Sequence, residues 1–168
     1  AVTVLSAGGA TKQNLGRIDG RGDTIVAVGA IGVGVISTNR GRTWATLPTV
    51  PVAATLTALA VLDSNRLWVG TVAGAVYYSL DAGNNWTLVT LSGSPSAIND
   101  IVFVNDEQGW IAGVSASLAA LWWTPDGGAD WTTVNATPRV TGVSTTAQSI
   151  LRIAVPTSSN TQVAANSL

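Results

Sequence analysis

The 168-residue chain contains no cysteine and no histidine, and these two absences remove more chemistry than any other feature of its composition. Without a thiol there is no disulfide, no thiolate nucleophile and no cysteine zinc site. Without an imidazole there is no Ser-His-Asp triad and no histidine general base. Carboxylates, Tyr, Lys and Arg are the side chains left for catalysis. Charge is scarce as well: 10% of residues are charged, against about 25% in an average soluble domain. Lys12 is the single lysine, the arginines are dispersed and the net charge is −1. The basic footprint that neutralises a phosphate backbone is therefore missing, and nucleic acid is not expected as a partner. No charged segment followed by an apolar one opens the sequence, so a signal peptide is not expected. The uncharged stretches 24–39 and 43–62 are broken by Gly29, Gly32 and Gly34 and by Pro48 and Pro51. They read as short strands joined by turns and not as a membrane span. No metal and no cofactor is expected.

What the chain has is apolar residues, 46% of the total with a mean hydropathy of +0.36, and a repeat. Three octapeptides share the pattern [ST]-x-[DN]-x-G-x-x-W: Ser37-Thr-Asn-Arg-Gly-Arg-Thr-Trp44, Ser79-Leu-Asp-Ala-Gly-Asn-Asn-Trp86 and Thr124-Pro-Asp-Gly-Gly-Ala-Asp-Trp131. Their tryptophans recur 42 and then 45 residues apart. The register extends upstream, with 24–29 lying over 66–71. In the third copy 101–106 lies over 58–63 and 110–113 over 67–70, with two extra residues near 115–118 expected to lengthen a turn. A fourth copy begins at 151–160 and 161–165, over 56–65 and 66–70. Each unit holds four short runs rich in Val, Ile, Thr and aromatics, for example 56–62, 67–72, 75–80 and 86–91, bounded by turn residues. A period of about 40–45 residues carrying four strands is that of a β-propeller blade. The expectation is an all-β fold of four-stranded antiparallel blades, three complete units and a partial fourth. The blades are placed at 14–55, 56–98, 99–143 and 144–168, and 1–13 forms an N-terminal strand able to close the ring.

The octapeptides resemble the Asp-box, or bacterial neuraminidase repeat, of sialidases, sortilin-type sorting receptors and photosystem II assembly factors. The resemblance implies that each box is the turn between the third and fourth strands of a blade. It also implies that Ser37, Asn39, Gly41 and Trp44, Ser79, Asp81, Gly83 and Trp86, and Thr124, Asp126, Gly128 and Trp131 are structural. The chemistry suits the spacing: a short carboxylate accepts hydrogen bonds from its own turn, Gly takes a positive φ, and Trp covers the hairpin. Asn39 keeps one acceptor oxygen and loses the charge, so the first box is expected to be slightly weaker.

Sites of other kinds are thinly supported. A sialidase needs an arginine cluster, a Tyr nucleophile with its Glu, and an Asp acid/base; Glu107 is the only glutamate and lies in a turn-like run, and Tyr77 and Tyr78 sit within a strand. Arg21, Gly22 and Asp23 form an adhesion-type tripeptide in a tight turn. Trp122 and Trp123 could offer a sugar-stacking face, with one of the two exposed by strand alternation. Asn85 and Asn135 head glycosylation-type tripeptides, and no phosphate loop occurs. An assembly factor would carry an arginine patch on one face; Arg17, Arg21, Arg40, Arg42 and Arg66 are candidates, at different points of their repeats.

A propeller must close or expose a sheet edge, so protein partners or further copies of the chain are expected at the strand edges. The functional expectation is a non-catalytic structural or protein-interaction module of a larger assembly, in a virion (phage capsid- or tail-associated) or extracellular setting. The alternative is a carbohydrate-binding, sialidase-like lectin module or a fragment of a larger propeller.

Overall fold

The computed structural model describes residues 14–134 together with Arg152 and Ile153. The first blade comprises β1 (Leu15–Arg21), β2 (Thr24–Gly29), β3 (Gly34–Ser37) and β4 (Ala45–Thr46), the second β5 (Leu56–Val61), β6 (Leu67–Thr71), β7 (Val76–Ser79) and β8 (Thr87–Val89). The third comprises β9 (Pro95–Phe103), β10 (Gly109–Ser115), β11 (Leu118–Thr124) and β12 (Thr132–Thr133). Each sheet runs in chain order with antiparallel neighbours only. The protein is thus an all-β, propeller-type repeat of four-stranded antiparallel blades. A single 3-10 turn at Ala30–Gly32 is the one helical element among the described residues, and none of their helices is long and apolar enough to cross a membrane. The N-terminal strand within 1–13 and the partial fourth blade, apart from Arg152 and Ile153, lie outside the described residues.

Pairing corrects two readings of the third repeat. Gly109 faces Thr124 as Leu67 faces Ser79 and Ile25 faces Ser37. Trp110 is therefore the counterpart of Trp68, and Ile101 that of Leu59, one residue away from the sequence alignment. The match of Gly113 to Gly70 was a coincidence of composition, and a one-residue slip exchanges the two faces of a strand. The loops agree with the new register: Asp63 Oδ1 accepts the N–H groups of Asn65 and Arg66, and Asn105 Oδ1 accepts those of Glu107 and Gln108. Secondly, the added residues lengthen strands and not a turn. Ser115 pairs with Leu118, leaving only Ala116 and Ser117 between β10 and β11, both at positive φ as a tight hairpin turn requires. The boundary between 56–98 and 99–143 also moves, because β9 begins at Pro95, where bulged pairing carries it along β10.

Alternation sends each strand's residues into two different interfaces. From β5, Leu59 and Val61 pack with Leu67 and Val69 against Val26, Val28 and Leu47 of the first blade; Ala58 and Ala60 face Ile98, Ile101, Ile111 and Trp122 of the third. On β5 the trailing-face residues Ala58 and Ala60 are small and meet larger residues on the leading face of the third blade. Trp68 centres the second interface, 5.1 Å from Tyr78, 5.4 Å from Phe103 and 5.7 Å from Trp131. Burial of each such side chain contributes about 1.5–3 kcal/mol. Polar bonds also cross between blades: the Val61 N–H donates to Asp19 Oδ2 (2.8 Å) and the Thr57 hydroxyl to the Ile98 carbonyl (2.5 Å).

Candidate functional site

The three repeated turns have nearly the same geometry. In the second, the Ser79 hydroxyl donates to Asp81 Oδ1 (2.9 Å) and accepts the Gly83 N–H (2.8 Å); Asp81 also accepts the Asn85 N–H (2.8 Å) and the Asn85 side-chain amide (2.7 Å). In the third, the Thr124 hydroxyl bonds Asp126 (2.6 Å) and the Gly128 N–H, and Asp126 accepts the Asp130 N–H (3.1 Å). In the first, Ser37 bonds Asn39 and the Gly41 N–H, Asn39 Oδ1 accepts the Thr43 N–H (2.9 Å), and its amide donates to the Thr43 hydroxyl (2.8 Å). Asn39 thus makes the turn's backbone bond without charge. Donation from Asn85, backbone first, holds the Asp81 carboxyl below the usual range, and the Thr124 hydroxyl followed by the Asp130 N–H does the same for Asp126. A carboxylate held ionised by its own turn is a poor general acid.

The box tryptophans differ from one another. Trp86 donates its indole N–H across the blade boundary to the Thr49 carbonyl (3.2 Å), whereas Trp44 donates to Gly41 of its own turn (3.1 Å). Trp131 is packed against Trp68, its indole nitrogen buried with no partner among the described residues.

Trp122 cannot contact a glycan: it is 0% exposed, lies in the interface between the second and third blades and donates to the Ser92 carbonyl (3.0 Å). Trp123 is half-buried and sits directly opposite Trp110, the pair corresponding to Tyr78 and Trp68 of the second blade. Both charges of the tripeptide Arg21-Gly22-Asp23 are engaged: Arg21 pairs with Asp106 (3.0 Å) and Asp23 with Arg40 (2.5 Å), while Gly22 takes φ +65° in the exposed turn. Tyr77 packs towards the first blade and Tyr78 towards the third, and Glu107 is exposed in the β9–β10 loop. These sialidase-type residues are not brought together. The Asn85 tripeptide lies in a repeated turn, and that of Asn135 falls outside the described residues.

The structure instead assembles a site that no sequence motif marks, bringing Arg17 and Arg21 of the expected arginine patch together with acidic residues. The first strands of the three blades, β1, β5 and β9, line a cleft of about 590 Å³, completed by Arg152 and Ile153. Its charged lining consists of Arg17, Asp19, Arg21, Asp100 and Arg152. Arg17 reaches from the first blade to the Asn99 carbonyl of the third (3.4 Å), and the Ile153 N–H donates to Asp100 Oδ2 (2.7 Å). Burial raises the Asp100 carboxyl above the usual range, opposed by the Ile153 N–H and the nearby Arg152 and Arg17 guanidinium groups. At the rim, Asp106 accepts from both Arg21 and Arg66 (3.2 Å), and Arg66 also pairs with Asp63 (2.6 Å). One signal pointed here. In the corrected register Arg17 and Asp19 occupy the positions of Ala58 and Ala60, and Asp100 also matches Ala58. Charges stand where the second repeat has alanine.

No protein-family model matches the chain, and no curated protein matches it. Solved structures do. YCF48 from Cyanidioschyzon merolae superposes with a TM-score of 0.63 at 15% identity, over 84% of this chain and 44% of its own. A structure of YCF48 bound to D1 peptide gives 0.60 at 16% identity, over 73% and 40%. An ancestral GH74 enzyme gives 0.60 at 20% identity, over 73% of this chain and 18% of that one. At these identities the likeness establishes the shared propeller fold. The chain spans about two fifths of the YCF48 structures and about a fifth of the enzyme.

Proposed function

We propose that the chain is a non-catalytic protein-interaction module that takes an extended, acidic peptide segment of a partner in the cleft lined by β1, β5 and β9. The observation that carries this reading is the set of charges lining that cleft. Arg17, Arg21 and Arg152 outnumber Asp19 and Asp100, and both carboxylates accept a backbone N–H from a neighbouring segment. A cleft of this volume falls within the range of about 300–1,000 Å³ for ligand sites, and paired guanidinium groups suit carboxylate recognition. The structural likeness to a YCF48 captured with a peptide supports the same reading. We place the repeated turns on the structural side, as an Asp-box repeat. Scarce charge suits a chain that buries surface in a multi-copy assembly, and a virion or extracellular setting is proposed on that ground. Selection of displayed peptides tests the function: sequences rich in Asp and Glu should be enriched on the wild-type chain and lost on the Arg17→Ala, Arg152→Ala double variant. Enrichment indifferent to the two arginines would sink it.

A second reading, glycoside hydrolysis, is favoured by one observation: Asp19 and Asp100 share the cleft and Asp100 has the raised carboxyl of a general acid. Release of reducing sugar from oligosaccharides, abolished by Asp100→Asn, would replace the first reading with this one.

A further inference from the structure

The turns of the three blades fall at two ends that differ in charge. Within each blade the turns between the first and second strands and between the third and fourth share one end. The turn between the second and third strands lies at the other, with the link to the next blade. Every described charged residue either lines the cleft or stands in a turn of the first end, from Asp23 and Arg40 in the first blade to Glu107 and Asp130 in the third. The second end comprises 30–33, 50–55, 72–75, 90–94 and 115–118, and contains no charged residue.

This uncharged end is a continuous surface. The Gly32 N–H donates to the Ala54 carbonyl (2.8 Å), the Val72 N–H to the Thr55 carbonyl (3.0 Å) and the Ser115 hydroxyl to the Gly93 carbonyl, so each blade's tip is tied to a link between blades. Its large apolar side chains face water, one in each blade: Ile31 is 63%, Val72 53% and Leu118 56% exposed. Ile31 also holds φ +54°, a region that a β-branched side chain resists. Folding gains little from a large side chain that is strained and mostly in water. A contact made by the folded chain would use it.

The chemistry of the surface narrows what covers it. Membrane-surface segments use Lys and Arg against headgroups and Trp and Tyr at the interface, and these loops contain none of the four. A charged partner would leave its own charges unpaired against apolar tips. A second copy meets neither difficulty, because a two-fold contact sets the same patch on both partners and an uncharged patch does not repel itself. Packed sheets lie about 10 Å apart, so three successive tips span roughly 20 Å, the scale of the about 800 Å² per partner in a standard interface. We propose that this uncharged end is the interface of a two-fold homodimer, in which Ile31, Val72 and Leu118 pack against the same end of a second copy. The inference goes beyond the peptide reading, since none of the three tips lines the cleft.

Sedimentation velocity of the full chain across a range of concentrations tests it. The expected result is a species of two copies that dissociates to a monomer on dilution. Val72→Asp and Leu118→Asp, in separate turns, should each weaken the association at least about ten-fold with the unfolding transition of the dilute monomer retained. Leu88→Asp, at an equally exposed position on the outer strand β8, should leave it as in the wild type. Ile31→Gly adds a readout that a folding role would not give. Relief of left-handed strain offsets the looser unfolded chain, so the association weakens while the unfolding midpoint of the dilute monomer holds. A wild-type chain that stays monomeric throughout overturns the proposal, as does a dimer untouched by the tip substitutions. Mass that climbs past two copies with concentration marks a head-to-tail contact and overturns the two-fold assignment. Co-flotation with phosphatidylcholine–phosphatidylglycerol vesicles that is lost in Val72→Asp would assign the end to a membrane surface and overturn it as well.

Discussion

Placing one methyl group on each repeated-turn glycine separates backbone strain from packing, because the three sites share the first and differ in the second. Gly41, Gly83 and Gly128 have φ of +78°, +84° and +92°. Alanine at each pays roughly the same left-handed penalty of about 1–2 kcal/mol, offset by about 0.5 kcal/mol from a stiffer unfolded chain. At Gly41 the added carbon would lie 3.6 Å from Trp44 and 3.7 Å from Ile25, ordinary contact, so the net loss should be about 1 kcal/mol. At Gly83 it would lie 2.9 and 3.1 Å from Leu47, a buried side chain that must shift, and the loss should rise to about 2 kcal/mol. At Gly128 it would overlap the ring of Trp68, which is held between Tyr78, Phe103 and Trp131 and has nowhere to move. Overpacking of that kind adds about 1–3 kcal/mol, for a total of about 2–4 kcal/mol, with the confined indole ring placing it toward the upper end. Urea unfolding followed by tryptophan fluorescence gives the three values directly. The reasoning fails if the losses agree within about 0.5 kcal/mol, or if Gly41→Ala is the most costly of the three.

Other perturbations follow from the same contacts. Trp122→Ala should cost about 3–5 kcal/mol in thermal or urea unfolding, against a smaller loss for half-buried Trp123→Ala; equal losses would contradict the burial assigned to Trp122. Trp86→Phe removes a bond between blades and should cost about 1 kcal/mol, more than Trp44→Phe, whose bond stays within its own turn. Asp81 and Asp126 have lowered carboxyls in the folded state, so their contribution is present above the unfolded value of about 4 and is lost as pH falls through the folded value. Asp81→Asn should flatten this acid limb in pH-dependent unfolding. Asp100 has the opposite sign: its raised carboxyl makes stability fall as pH rises from the unfolded value through the folded one, and Asp100→Asn should abolish that decline.

The repeat made the fold readable, because Gly and Trp at fixed spacing mark the same turn in each blade and the runs between them are short and rich in Val, Ile, Thr and aromatics. Register was harder. Gly113 looks like Gly70 in sequence, yet Gly70 is held by close approach of Ile98 while Gly113 stands against Ala97 and Trp122, so identical residues answered to different neighbours. Trp122 and Trp123 are adjacent and equivalent in composition, and only the position of the preceding blade decides which is buried. The cleft was hidden for a related reason. Its charges come three from β1, one from β9 and one from Arg152, with no local motif, and Arg17, Asp19 and Asp100 become legible as departures from Ala58 and Ala60 once the strands are aligned by pairing.

Peptide binding in the cleft is most directly tested by titrating an Asp/Glu-rich peptide from the display selection into the full chain by calorimetry. The predicted result is binding at one site per chain that weakens with salt and is lost in Arg17→Ala, Arg152→Ala, with the unfolding transition of the variant retained. Undiminished affinity in that folded variant would contradict the assignment of the cleft as the binding site.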